Sequence, residues 1–181
     1  MQVTNPVCRS LMAGAAAALL PMRDVVAQTA AAKGDGMAMN KGRHALMAKT
    51  FDELLVTDGK PAARPAGMRK LAYQWTVHSV MEENVLYADM AMNGMVSEAD
   101  KLYLDQAHAK VMNHQLEMMA KMSDAKGWLD TAKTMQAAVL KHTEEDEEAK
   151  LCPKLKQAMD ASKNAMLTAA CQRGFSHVKQ A

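Results

Sequence analysis

Apolar residues recur every three or four positions through four long stretches of the chain, the interval that lines one face of an α-helix. The pattern predicts a helix over 40–56 with an inward stripe of His44, Met47, Phe51 and Leu54. The Gly- and Pro-rich stretch "TDGKPAARPAG" then breaks it. A second helix is predicted over 68–93, striped by Leu71, Trp75, His78, Glu82 and Leu86 and closed by Gly94. Ser97 and Asp100 give a capping-box-like start to a third helix over 97–124, with Leu104, His108, Val111, Met118 or Met119, and Met122 facing inward. "SDAKG" is the next break, and Gly127 suits a left-handed cap. The fourth helix, over 128–150, carries Met135, Val139, His142 and Asp146. Pro153 fits the first turn of a further helix that continues to Cys171 before Gly174 ends it. Long helices joined by short loops predict an all-α protein, an antiparallel up-down four-helix bundle with an extra C-terminal helix over 40–175.

The first residues read differently. A short polar start ends at Arg9, an apolar run spans Leu11 to Leu20, and small residues stand at Val25 and Ala27. This predicts a cleavable signal peptide over 1–27 and an exported, periplasmic or secreted protein, with a flexible linker over 28–39. The apolar run is too short to span a membrane. Cleavage removes Arg9, Arg23 and Asp24 from 22 basic and 20 acidic residues, leaving 20 and 19. That near-neutral balance, without basic clusters interleaved with aromatics, argues against a nucleic-acid partner. Cys152 and Cys171 remain after cleavage, and an oxidising compartment permits a disulfide only if the chain folds back between them.

Each of the four helices has a histidine in its apolar stripe. One such residue is ordinarily a hydrogen-bonded core histidine, but five of the six histidines (His44, His78, His108, His114 and His142) fall within these four helices. Two are followed by carboxylates, in "HSVME" and "HTEEDE". Burying such groups without a cation costs several kcal/mol, and imidazole with carboxylate suits iron, zinc or copper. His78 and Glu82, four apart, project from one face. His142 has Asp146 at the same offset and Glu147 one further on, which an ideal α-helix turns away by about 140°. His108 and His114, six apart, diverge by about 120°.

His44, His78-x-x-x-Glu82, His108 and His142-x-x-x-x-Glu147 together resemble the hemerythrin family and its HHE cation-binding branch. The flanks "HALMAKTFDELL", "VHSVMEENVLYADM" and "HTEEDEEAKLCPKL" resemble that family's segments over about 40–159. The resemblance implies a four-helix bundle holding two non-haem irons, with histidines as terminal ligands and Glu82 and Glu147 as bridges. It ranks Glu147 above Asp146 and His108 above His114. The chain departs from hemerythrins proper, which place two histidines four apart on the third helix.

Imidazoles outnumbering carboxylates favour the reduced metal pair, and hence capture of a diatomic ligand (O2 or NO) or peroxide over strong oxidation. No catalytic triad, phosphate loop or CxxC motif is present. Ligand binding or sensing is therefore favoured over enzymatic turnover. Fifteen methionines persist after the signal peptide's Met1, Met12 and Met22 are removed from 18. Because thioethers bind Cu(I), a Met/His-rich copper carrier is the alternative; a metal-free bundle serving only in protein association is a third reading.

Overall fold

The computed structural model describes residues 35–57, 60–121 and 125–177, all of them helix or short connection. The elements are α1 (Gly36–Leu55), a 3-10 turn (Pro61–Ala63), α2 (Arg64–Met81), a first π segment (Glu82–Leu86), α3 (Tyr87–Met92), α4 (Val96–Lys121), α5 (Ala125–Leu140), a second π segment (Lys141–Leu151), α6 (Cys152–Ala158) and α7 (Ala161–His177). The signal peptide expected over 1–27 lies outside the described residues. So does most of the expected linker, but its last residues do not: Gly36 to Met39 already belong to α1. Asp35 caps that helix, its side chain accepting the Met37 N–H at 3.0 Å.

α1 packs on α2, α4 on α5, and α3 on α4, while α7 lies against α1, α2 and the first π segment. The turn into α4 contains Gly94 at φ 83°, a left-handed conformation that glycine adopts without strain. α4 begins at Val96, so Ser97 sits inside its first turn and bonds Glu98 rather than capping the helix. Gly127 lies in the first turn of α5, in helical conformation rather than as a left-handed cap. The C-terminal helix is interrupted at Met159–Asp160, and Gly174 is interior to α7 rather than its stop. A Cβ there would stand 3.3–3.4 Å from Met81, so glycine lets α7 lie close on α2.

Two apolar clusters form the core. One gathers Met47, Phe51, Leu54, Leu71, Trp75, Leu116, Trp128, Met135 and Val139; the other gathers Met39, Val77, Met81, Leu86, Met90, Leu102, Leu155, Cys171 and Phe175. Passing from one to the other, the chain crosses His44 in α1, His78 and Glu82 in α2 and the first π segment, Gln106 in α4, and His142 to Glu147 in the second π segment. The polar layer between the clusters is where the candidate site lies.

The stripes expected on α1 and α2 face inward as read. That of α4 mostly does not: Leu104, Val111 and Met118 are exposed, Met119 is half-buried against the core, and Ala99, Leu102, Gln106, Ala109 and Leu116 are buried. Cys152 and Cys171 are free thiols buried in one cluster. No helix among the described residues is long and apolar enough to cross a membrane.

Candidate metal centre

His78 and Glu82 stand four apart where α2 gives way to the first π segment, and His78 Nε2 lies 2.9 Å from Glu82 Oε2. His44 from α1 brings its Nε2 to 3.3 Å from both Glu82 Oε1 and Glu147 Oε2. His142 places its Nε2 3.3 Å from Glu147 Oε1 and 3.8 Å from Glu82 Oε2. All five side chains are buried, Glu82, His78 and Glu147 completely.

The second π segment explains how Glu147 reaches this layer, whereas Glu82 reaches it at the ordinary four-residue offset, its N–H still donating to the His78 carbonyl. A π-turn bonds i to i+5 and brings residues five apart onto one face. The Tyr87 N–H donates to the Glu82 carbonyl, and the Cys152 N–H to the Glu147 carbonyl. In the second segment His142 and Glu147 therefore point the same way. Asp146, which α-helical geometry favours, turns aside to Lys101 and Lys141 at 2.6 Å and Lys150 at 3.0 Å. Glu144 and Glu145 are exposed. Glu148, partly exposed, accepts from His44 Nδ1 at 2.8 Å and pairs with the exposed Lys41 at 2.9 Å.

His108, expected at the centre, and His114, ranked below it, are elsewhere. His108 and His114 are exposed on α4, because the helix is rotated to bury Leu102, Ala109 and Leu116. His108 lines a cleft of about 630 Å3 that runs past Trp75, Ala109, Met112 and Val139 to His142. His177 ends α7, and its side chain lies outside the described residues.

Three residues join the centre without having been anticipated. Gln106 donates to Glu82 Oε2 at 2.6 Å, and Asn40 donates to Glu82 Oε1, also at 2.6 Å. The Tyr87 hydroxyl lies 2.7 Å from Glu82 Oε2 and 2.8 Å from Glu147 Oε1. For Tyr87 a signal existed: it stands five residues after Glu82, the spacing that joins His142 to Glu147. Gln106 gave none, being one polar residue on a mixed face.

Electrostatics divide the cluster. Burial opposes charge on His44, but Glu147, Glu148 and Glu82 outweigh it and hold its pKa well above the usual imidazole value. Burial likewise opposes charge on His142, yet Asp105, Glu82 and Glu147 push it up to about 10. His78 is held down at about 4, chiefly by its complete burial. Against the pull of burial, His78, His142 and His44 keep Glu82 well below the carboxylate range, whereas burial and the neighbouring Glu82 raise Glu147 to about 7.

His44, His78 and Glu82 form one buried group whose donor atoms lie within 4.8 Å of one another, and Glu82, His142 and Glu147 form a second. The groups share Glu82 and can hold metal ions. Their hydrogen bonding alone does not satisfy them: Nδ1 and Nε2 of His78 have no hydrogen-bond partner, the close approach of Nε2 to Glu82 being misaligned for one. A bare imidazole nitrogen beside a carboxylate, both dry, fits a pair of ligands better than a finished polar network. The ring is oriented by packing, edge-on to His44 at 4.9 Å and against Trp75 at 5.5 Å.

No family model, characterised protein or solved structure compared with the chain matches it.

Proposed function

We propose that the chain is an exported, hemerythrin-like protein whose four-helix bundle holds two non-haem irons and binds or senses O2, or NO or peroxide. The observation that carries the reading is the pair of buried donor groups sharing one glutamate. Glu82 and Glu147 are the bridging carboxylates in this reading, and His44, His78 and His142 are the terminal imidazoles. Iron would supply reversible redox capture of a small oxidant.

The protein's own residues hold and shield the site. Glu148 accepts from the outer nitrogen of His44 and so presents Nε2 inward, an outer-partner arrangement that fixes ring orientation and raises ligand basicity. Asn40 and Gln106 orient Glu82 from both sides. Trp75 and the two apolar clusters keep bulk water away, while the cleft ending at His142 admits a small molecule. Methionine is distributed through both clusters as packing, with Met39, Met47, Met68, Met81, Met90, Met95 and Met135 buried.

Metal analysis of the purified mature protein tests this. About two irons per chain are expected, as in di-iron bundles; copper would favour a thioether carrier, and no metal would leave an association module. Anaerobic reduction followed by O2 should change the iron-linked visible spectrum. An unchanged spectrum would defeat the ligand-binding role.

A further inference from the structure

The Tyr87 hydroxyl occupies an unusual place. Its oxygen lies 2.7 Å from Glu82 Oε2, 2.8 Å from Glu147 Oε1 and 3.1 Å from His142 Nε2, and these three side chains are the second donor group. Gln106 Nε2 approaches the same oxygen at 3.1 Å. The phenol is wholly buried, fixed by its ring packing on Tyr103 at 5.1 Å and by its place in the apolar cluster.

A phenol has one O–H to donate. Here it faces two carboxylate oxygens from two different helical segments, so one proton serves two acceptors. Oxygen and nitrogen ligands held by metal bonds of about 2.0–2.2 Å stand about 2.8–3.1 Å from one another at adjacent vertices of an octahedron. Tyr87 Oη meets the donors of the second group at or close to that spacing. A cation among the four would take a lone pair from each and remove the conflict.

We propose that Tyr87 is a direct ligand at the second metal position, completing a Glu82, His142, Glu147 and Tyr87 set for ferric iron. The inference rests on the di-iron reading above. On binding, the phenol O–H bond breaks, its proton leaves to solvent, and an oxygen–metal bond forms with no change in electron count. Phenolate is a hard, anionic donor and suits ferric iron. The two positions are thereby unequal: the first, with His44 and His78, is rich in imidazole, and the second is held ferric more strongly.

The test uses the full mature protein loaded with iron in air, with iron counted in the same samples. A visible phenolate-to-iron(III) charge-transfer band is expected, with phenolate ring modes enhanced in resonance Raman spectra excited within it. The chain has three tyrosines, Tyr73, Tyr87 and Tyr103. The double variant Tyr73→Phe/Tyr103→Phe leaves Tyr87 untouched and should keep the band, whereas Tyr87→Phe should abolish it. Tyr87→Phe should also weaken the second iron by more than the ~10–100-fold that loss of an outer partner costs. Iron-loaded protein without the band, or a band lost in the double variant, overturns the assignment of Tyr87 and leaves the di-iron reading standing. Failure to bind iron at all overturns both.

Discussion

His142 Nε2 stands 3.3 Å from Glu147 Oε1, although an α-helix would carry residues five apart away from each other. The π segment over Lys141–Leu151 makes the contact, and by the same turn sends Asp146 to the lysines. Glu147→Gln and Asp146→Asn should therefore behave oppositely. Glu147→Gln should lower metal affinity more than ~10–100-fold, beyond the loss of an outer partner, with little effect on folding. Asp146→Asn should leave metal content intact and lower stability by about 1 kcal/mol, less at high salt, since its lysine partners are exposed. Isothermal titration with ferrous ion and thermal melts check both.

On α4 the outcome turns on Gln106. His108→Ala and His114→Ala should retain the full metal complement, their side chains being at the surface. Gln106→Leu should reduce affinity by ~10–100-fold, because it removes the amide that orients Glu82. Equal losses from His108→Ala and Gln106→Leu would show that α4 turns its other face inward.

The metal-free protein should lose stability as pH rises from about 6.5 to about 10. His142 has its pKa raised to about 10 in the fold against about 6.5 in an unfolded chain. Its stabilising contribution is complete below about 6.5 and disappears as the folded form deprotonates toward 10. His44, also raised, acts in the same direction. Denaturant unfolding of chelator-treated protein across this range checks the sign. Metal-loaded protein should lack the decline, because the imidazoles are then neutral ligands.

Gly174→Ala should destabilise the fold by about 1–3 kcal/mol, an overpacking cost. The added methyl would press on Met81, including its backbone, at 3.3–3.4 Å. Chemical denaturation should detect it, and Met81→Ala in the same background should recover little, because the Met81 Cα also blocks the space.

Cys152 and Cys171 should be almost inert to thiol reagents in the folded protein at pH 8 and react fully once unfolded. Burial pushes the Cys171 thiol up to about 12, and Cys152 is raised further for the same reason. Rapid labelling of native protein would show that α6 and α7 open readily.

The helical class and the stripes of α1 and α2 were legible from the chain because their information is local. His44 with Met47, and His78 with Glu82, are read at spacings of three and four that any α-helix enforces. α4 carries two rival stripes at a seven-residue interval, Leu104/Val111/Met118 and Leu102/Ala109/Leu116. Nothing in their composition ranks them; only packing against α3 and α5 chose the second, which turned Gln106 inward and His108 out. The run of five acids has no periodicity at all. Which of them faces the core depended on a π-turn, a backbone form with little local preference that persists where surrounding structure sustains it. So the sequence by itself determined that imidazoles and carboxylates would line helices. The tertiary structure decided which ones meet, because helix rotation and helix type answer to contacts between segments far apart in the chain.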